Sequence, residues 1–322
     1  MAVCVTAKRR PAGETRLDPH MTHPVPTTTL TATGNPALQA WIVTRRRLPG
    51  VTSGSALLAM GTRLLSVHDD ALRVTWIDPA TVTLVPQVLH GDGAALPKPL
   101  RPDFEAAVAI GDGTVYLLGS GSTPARCTIA RLRGASVALY GHPRLYDSVG
   151  AALGLTGRPN IEGAAVVADG LRVFHRGANG APSAGVDLPC AVLDGGEPIV
   201  GGVLRLELGA LDGVALGLTD VAVLGPDRYA FTAAAEDTAD AVADGPVAGS
   251  VIGVWHEAGH ASALHWVRLC HADGTPCTDK VEGLVVDADR RGGWIITDTD
   301  DPARAGELCR IVLEGFRDGG TG

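Results

Sequence analysis

The feature that most constrains the fold is a pattern that occurs five times along the 322 residues of this chain. In each copy an acidic or hydroxyl residue opens a short apolar segment, and a second apolar segment follows after a turn. The opening residues, called anchors here, lie 52 to 62 residues apart and are Ser53, Glu105, Glu162, Asp220 and Glu282. A unit of this size, made of short strands and turns, is typical of a β-propeller blade.

The repeats predict an all-β fold, in which residues 37–316 form a single five-bladed β-propeller. Each blade should contain four strands, and the first copy shows them at 55–60, 63–67, 72–77 and 82–89. The fifth copy shows only three. We therefore expect residues 40–44 to pair with residues 307–313, which would close the ring and cover an exposed sheet edge.

The two ends of the chain are expected to lie outside the propeller. Residues 1–36 are interpreted as a disordered leader, or partly as a wrongly assigned start with Met21 as the true one. Residues 317–322 are interpreted as a flexible tail. The basic residues 8–10 are not followed by the apolar stretch that a secretion signal needs, so a cytoplasmic location is predicted.

Composition argues against two kinds of partner. No segment approaches the roughly 20 consecutive apolar residues of a membrane-spanning helix. The net charge is −8, and no basic run is longer than the three residues of 8–10 and 45–47. A nucleic-acid partner requires a concentrated basic face. Among six cysteines only Cys270 and Cys277 are close in sequence, and free thiols are favoured over a disulfide between them.

The register of the repeats predicts a carboxylate-rich mouth at one end of the propeller channel. The anchors should converge there, and the hairpin return of each second strand adds Asp69, Glu236 and Asp298. So many carboxylates repel one another unless protons or a cation lie among them. Hard oxygen ligands suit Ca²⁺ or Mg²⁺, so the five anchors are predicted to bind one of these ions. The alternative is a purely structural polar ring.

The order of the anchors resembles that of the calcium-activated nucleotidases of the apyrase type. The matching segments are 66–70, 104–106, 162–164, 231–237 and 280–283. The resemblance implies a five-bladed propeller with calcium on its axis, held by Ser53 or Ser55 and the other four anchors. It also implies that Arg176 binds phosphate. Asp220 departs from the family pattern, which has serine there, and most basic residues of the nucleotide site are missing.

A second resemblance points to the same architecture. Residues 282–284 and 297–301 are similar to elements of bacterial phytase-like and esterase-like propeller proteins. The leading prediction is a divalent-cation-dependent hydrolase of phosphate esters or anhydrides. Glu236, Asp298 or Asp69 would accept a proton from the attacking water, and Arg176 would stabilise developing charge.

Two other functions stay open at this point. One is a non-catalytic propeller that binds a ligand or a protein, and the other is a metal-dependent lactonase or esterase. For the leading function we expect a small-molecule ligand at the channel mouth of a monomer, with no nucleic-acid or membrane partner.

Two further motifs resemble metal sites. Residues 256–260 match the zinc-protease pattern His-Glu-x-x-His, which requires a helix to bring both histidines to one face. The flanking segments are strand-like, so the motif is placed in an outer hairpin of the fourth blade. Residues 298–301 resemble the start of a calcium loop but lack its glycine and final glutamate, and are interpreted as an acidic turn.

Overall fold

Strands dominate this computed structural model, which describes residues 25–35, 37–168, 170–177, 181–237, 245–257, 263–299, 301 and 303–317. The strands, numbered along the chain, are β1 (Thr27–Gly34), β2 (Gln39–Arg47), β3 (Gly54–Met60), β4 (Arg63–His68), β5 (Arg73–Asp78), β6 (Thr83–Val88), β7 (Phe104–Ala109), β8 (Val115–Gly119), β9 (Thr128–Arg133), β10 (Ser136–Gly141), β11 (Ile161–Val167), β12 (Gly170–His175), β13 (Ser183–Leu188), β14 (Gly202–Glu207), β15 (Ala210–Leu211), β16 (Val214–Gly225), β17 (Arg228–Glu236), β18 (Val247–His256), β19 (Ala263–Arg268), β20 (Cys270–His271), β21 (Lys280–Val286), β22 (Gly292–Asp298) and β23 (Glu307–Glu314). The helices are α1 (Pro143–Leu153) and the 3-10 turns Lys98–Leu100, Pro124–Arg126 and Cys190–Asp194.

Most strands form five consecutive units of antiparallel strands. Unit 1 is β3–β6, unit 2 is β7–β10, unit 3 is β11–β14, unit 4 is β16–β19, and unit 5 is β21–β23 with β2. The first strands of the units contact one another in chain order, and the first strand of unit 5 contacts that of unit 1. The space that these five strands surround is called the channel here. This arrangement of successive antiparallel sheets is a β-propeller.

The hydrophobic core is divided among the contacts between neighbouring units. Of the five clusters of buried apolar residues, one lies between each pair of successive units and one between units 5 and 1. In the last of these, Leu57 and Ile77 of unit 1 pack with Ile296 and Leu308 of unit 5. Each unit therefore buries both faces of its sheet against its neighbours.

A strand near the start of the chain completes unit 5. β2 pairs antiparallel with β23, so that Ala40 lies opposite Leu313 and Ile42 opposite Ile311. The predicted pairing of residues 40–44 with residues 307–313 is therefore confirmed. These apolar residues are buried in the cluster between units 4 and 5, and β20 adds to the other edge of β2 in parallel.

Residues 27–34 form strand β1, although the sequence analysis predicted a disordered leader over residues 1–36. The strand runs parallel to β14 through residues 27–31 and parallel to β19 through residues 32–34, and so joins units 3 and 4 into a ten-stranded sheet. The segment Thr-Thr-Thr-Leu-Thr-Ala-Thr-Gly has too few apolar residues to give a strand pattern, although Leu30 is buried. Residues 1–24, and 318–322 of the predicted tail, lie outside the described residues.

Helix α1, between units 2 and 3, was missed by the sequence analysis. Pro143 occupies its first turn, and Gly154 ends it in the left-handed conformation at φ 69°, as helix termini favour. Leu145, Val149 and Leu153 form its buried face. The helix is short, at 11 residues, so its period is hard to separate from that of the neighbouring strands. No helix in the described part of the chain is long and apolar enough to cross a membrane.

Candidate functional site

A β-bulge recurs at the same place in the first strand of every unit, near one end of the channel. The pairing register with the second strand skips one residue in each unit, and these bulge residues are Ser55, Glu105, Glu162, Thr219 and Glu282. Bulges bend a strand and redirect a side chain. They explain why polar side chains open strands that are otherwise apolar.

The bulge residues have two different roles. The hydroxyl of Ser55 donates to the carbonyl of Phe104, and the hydroxyl of Thr219 donates to the carbonyl of Val281 at 2.7 Å. Both acceptors lie one residue before the bulge of a neighbouring unit, so these hydroxyls tie units together. The other three bulge residues are the glutamates 105, 162 and 282. The charge of Glu282 raises the pKa of Glu105 and of Glu162, and the charge of Glu162 raises that of Glu105.

Two anchors taken from the sequence are displaced from this register. Ser53 lies two residues before its bulge, and Asp220 lies one residue after. The carboxylate of Asp220 accepts backbone N–H groups from Val221 and Leu284, both at 2.7 Å. Asp220 therefore fixes unit 5 against unit 4, and the residue of unit 4 equivalent to the three glutamates is Thr219. Adjacent Thr and Asp gave the sequence analysis no means of choosing between them.

On one side of this end of the channel, two cations lie among three carboxylates. We call this set the arginine cluster: Arg176, Lys280, Glu162, Glu236 and Glu282. The Arg176 guanidinium lies 2.7 Å from Glu236, 3.6 Å from Glu162 and 3.8 Å from Glu282. The Lys280 ammonium lies 3.0 Å from Glu282 and 3.6 Å from Glu236. None of the five side chains is more than 13% exposed.

Local packing holds Arg176 in this position. Its backbone N–H donates to the Asn160 carbonyl at 2.9 Å, and its carbonyl accepts the N–H of Leu218 at 3.1 Å. Gly217 packs directly against the Arg176 side chain. Any larger residue would crowd it, since a Cβ at position 217 would lie 2.9 Å from Arg176 Cγ. The Asn160 amide also donates to Glu162 at 2.6 Å. The guanidinium is therefore oriented from both strands that flank it.

Burial dominates the titration of Glu162. Desolvation raises its pKa to about 8, although the positive charges of Arg176 and Lys280 act in the opposite direction. Burial also lowers the pKa of His175, whose Nδ1 lies 2.9 Å from the backbone nitrogen of Asn160. This side of the channel end therefore contains a carboxyl group that can carry a proton at neutral pH.

On the other side, three carboxylates meet without a cation between them. Asp69, Asp103 and Glu105 each place an oxygen within 4.8 Å of the other two, and we call them the carboxylate cluster. Arg126 pairs with Asp103 at 2.8 Å and Arg101 with Asp69 at 3.6 Å. Among the described residues, no Lys, Arg or His nitrogen lies within 4.0 Å of the Glu105 carboxylate.

The pKa values of this cluster are all raised. Burial raises the pKa of Asp69 to about 6, with the charges of Asp103 and Asp70 adding to the effect. Burial likewise raises the pKa of Asp103. The pKa of Glu105 lies well above its ordinary value because of burial and the neighbouring charges of Glu162 and Asp103. Protons or a metal ion would relieve this repulsion.

The structure brings most of the predicted site residues to this end of the channel. Ser53 lies beside Asp69, and its backbone forms a bridge with Asp298. Arg176 and Glu236 lie in the arginine cluster. Asp103, Asn160 and Lys280 were missed, although each lies two residues before a bulge glutamate. That constant offset was the available signal.

The histidine motif of unit 4 has a structural role in its described part. His256 ends β18 and lies opposite Ala263 of β19, which confirms the predicted outer hairpin. Glu257 forms an ion pair with Arg172 and accepts the indole N–H of Trp255 at 2.8 Å. His260 lies outside the described residues. At the other motif, Asp301 accepts the N–H of Ala303 in a turn.

A protein-family comparison covers almost all of these residues. The model described as "Family of unknown function (DUF6929)" matches residues 50–313. The chain belongs to this family. The match includes both clusters and all five bulges but excludes β1. No curated protein matches the chain.

Solved structures similar to this DUF6929 member have low sequence identity. A provisionally assigned glycosidase from Bacteroides thetaiotaomicron is 12% identical, with a TM-score of 0.49, over 82% of this chain and 87% of that one. A provisionally assigned gluconolactonase is 11% identical, with a TM-score of 0.43, over 85% and 92%. YCF48 bound to D1 peptide is 12% identical, with a TM-score of 0.38, over 82% of this chain. This chain spans 65% of the length of that YCF48 protein.

Proposed function

We propose that this protein is a five-bladed β-propeller, closed by β2, that binds one Ca²⁺ or Mg²⁺ ion and hydrolyses a neutral ester or lactone. Five units, five core clusters and five bulges support the blade count. The observation that carries the function is the carboxylate cluster. Three carboxylates with raised pKa values suit a hard divalent cation in both donor type and charge.

The donor set fits a cation better on this side than on the five predicted anchors. Asp220 already accepts two backbone N–H groups, and Glu162 and Glu282 already pair with Arg176. Asp69, Asp103 and Glu105 would hold the ion. When bound, it would polarise a carbonyl oxygen and lower the pKa of a bound water.

The charges near the site favour a neutral substrate over a phosphate. Arg176 is the phosphate-binding residue implied by the sequence resemblance, but its guanidinium is surrounded by three carboxylates. Glu236 is likewise paired with Arg176 and Lys280, so its carboxylate is already occupied by two cations. Asp298, next to Ser53, is the remaining acceptor on the side of the carboxylate cluster. A small-molecule substrate, a monomer and a cytoplasmic location belong to the same proposal. Cys270 and Cys277 are free thiols.

Cation binding is tested by titrating chelator-treated protein with Ca²⁺ or Mg²⁺ in a calorimeter and by following its melting temperature. Binding to the native state should raise that temperature in proportion to the logarithm of the ion concentration. Asp103→Asn and Glu105→Gln should remove the response. Asp112→Asn, an exposed change in the same unit, should keep it. A flat response in the wild type, or an equal loss in Asp112→Asn, refutes the cation site.

Hydrolysis is tested by a substrate screen with each metal and with chelator. The panel contains lactones, short-chain p-nitrophenyl esters, p-nitrophenyl phosphate, phytate and nucleoside triphosphates. We expect metal-dependent turnover of a lactone or ester, reduced on the order of 100-fold or more in Glu105→Gln. Turnover of phosphates alone would restore the phosphohydrolase and give Arg176 its predicted role.

A non-catalytic binding propeller is the second candidate. It is favoured by the ion pairs that occupy Arg176 and Glu236, two of the four residues to which catalysis was assigned. A cation response with no turnover of any substrate would support it.

A further inference from the structure

The opposite end of the channel has an unusual lining. A cavity of about 320 Å³ opens there, and residues from all five first strands line it: 57–59, 107–109, 164–166, 221–223 and 284–286. Every one of these residues is Ala, Val or Leu. The lining contains no aromatic, charged or hydrogen-bonding side chain.

The cavity is a separate site from the carboxylates. In every unit its lining begins two residues after the bulge and ends four residues after it. At about 3.3 Å per strand residue, the outer rim lies roughly 13 Å along the strand from the bulge. Leu57, Val221 and Leu284 are buried at the inner level, whereas Val223 at the rim is 49% exposed. The cavity therefore opens to solvent away from the acidic end.

The lining selects for one class of ligand. Binding is favourable when a ligand covers apolar surface that was exposed to water. The only polar groups in the wall belong to the backbone, and apolar surface is the larger part of the lining. A sugar or a nucleotide would therefore lose most of its hydrogen bonds to water without replacement. The volume lies at the lower limit of small-molecule sites and holds roughly ten groups of ~30 Å³ each. A slender chain of about eight to ten carbons has this size and polarity.

We propose that this apolar end of the channel is a second binding site, which takes an unbranched aliphatic chain with an uncharged head group. The five strands limit the width of the entrance, so that an alkyl chain enters lengthwise while the head group remains at the solvent-exposed rim. The site acts independently of the carboxylate cluster and of any metal bound there.

The test is calorimetric titration of the full chain with 1-octanol in the presence of chelator. We expect saturable binding with a negative heat-capacity change, as burial of apolar surface requires. Val223→Asp should weaken binding at least tenfold by placing a charge at the rim. Val43→Asp, at a position of β2 with similar exposure (43%), should change it less than twofold.

Two further measurements make the outcome decisive. Ala59→Phe fills the rim at an exposed position, and it should abolish octanol binding while leaving the melting temperature of the free protein unchanged within a few degrees. Glu105→Gln should not affect octanol binding. The proposal is overturned if octanol shows no saturable heat up to its solubility limit, or if Val43→Asp weakens binding as much as Val223→Asp. It is also overturned if sedimentation shows a dimer that Val223→Asp dissociates, because the occupant is then a second copy of the chain.

Discussion

The two sides of the acidic channel end solve the same electrostatic problem differently. In the arginine cluster, Arg176 and Lys280 lie among three carboxylates within 2.7 to 3.8 Å. In the carboxylate cluster, Arg101 and Arg126 each reach one acid, and Glu105 has no cation within 4.0 Å among the described residues. Each side includes at least one bulge glutamate from the first strand of a unit.

The difference teaches where a ligand would be needed. Buried charges are tolerated when opposite charges and hydrogen bonds compensate them. The arginine cluster contains its own compensation. The carboxylate cluster is compensated only in part, so it gains most from protons or from a bound cation. One equivalent position distinguishes the two sides, namely the residue that directly follows the second strand of a unit. It is a cation, Arg176, in unit 3 and a carboxylate, Asp69, in unit 1.

The largest expected effect is on the side that contains its own cations. Arg176→Met leaves Glu162, Glu236 and Glu282 facing Lys280 alone, and removing one partner of a buried ion pair typically costs about 3–5 kcal/mol of unfolding free energy. Chemical denaturation at pH 7 measures this. The control is Arg131→Met, which breaks the exposed ion pair of Arg131 with Asp194. It should leave the unfolding free energy within error of the wild type. An equal result for the two variants would remove the distinction between the sides.

Two Glu→Gln changes, one on each side, are expected to change the unfolding free energy by a smaller amount and in opposite directions. Glu282→Gln removes a carboxylate that contacts both Lys280 and Arg176, so the unfolding free energy should fall by on the order of 2 kcal/mol. Glu105→Gln removes repulsion with Asp103 and Glu162, so the metal-free protein should become more stable by about 1 kcal/mol. Denaturation in chelator gives both values. Destabilisation by Glu105→Gln would show that its negative charge is compensated in the native state.

A dependence of stability on pH is also expected in the metal-free protein. The folded-state pKa of Asp69, about 6, and that of Glu162, about 8, both exceed the ordinary values of 3.8 and 4.5. Through these two groups the folded state binds more protons than the unfolded state, whereas His68, whose pKa burial lowers to about 4, acts in the opposite direction below pH 6.5. The unfolding free energy should therefore fall most clearly as pH rises from about 6 to 8.

Two variants and one addition separate the contributions to this slope. Asp69→Asn should make the unfolding free energy fall less between pH 4 and 6, whereas the fall between pH 6 and 8, to which Glu162 contributes, should remain. Saturating Ca²⁺ at pH 7 should offset the loss in the wild type but not in Asp103→Asn. Urea denaturation at each pH measures the slope, and stability that rises between pH 6 and 8 would contradict the raised pKa values.

The sequence predicted the strand pattern well because short strands and turns repeat with a constant order of residues. The strands expected at 55–60, 63–67, 72–77 and 82–89 agree with β3–β6 to within one residue at every end. β16 begins at Val214, six residues before the anchor Asp220, and its residues do not alternate between polar and apolar, so no local pattern marks where it starts. β1 escaped detection because its pairing with β14 and β19 is made by the backbone of a threonine-rich segment.

The site was only partly predictable, for a reason of register. Apolar spacing places a polar residue at the start of each first strand, but a bulge displaces side chains by one position, and no residue type marks it here. The sequence analysis therefore chose Asp220 where the structure has Thr219. It also assigned Arg176 a phosphate-binding role, although three glutamates from separate units contact its guanidinium. Such contacts depend on tertiary packing, which no local pattern encodes.

The pairing of β2 with β23 also has a consequence for the order of synthesis. Gln39 lies opposite Glu314, so β2 leaves the ribosome long before its antiparallel partner exists. At about 5–20 residues per second, β2 waits roughly 14–55 s for β23. During that interval β2 presents an unsatisfied backbone edge, and Arg45, Arg46 and Arg47 at its end supply charges that discourage pairing with the wrong chain.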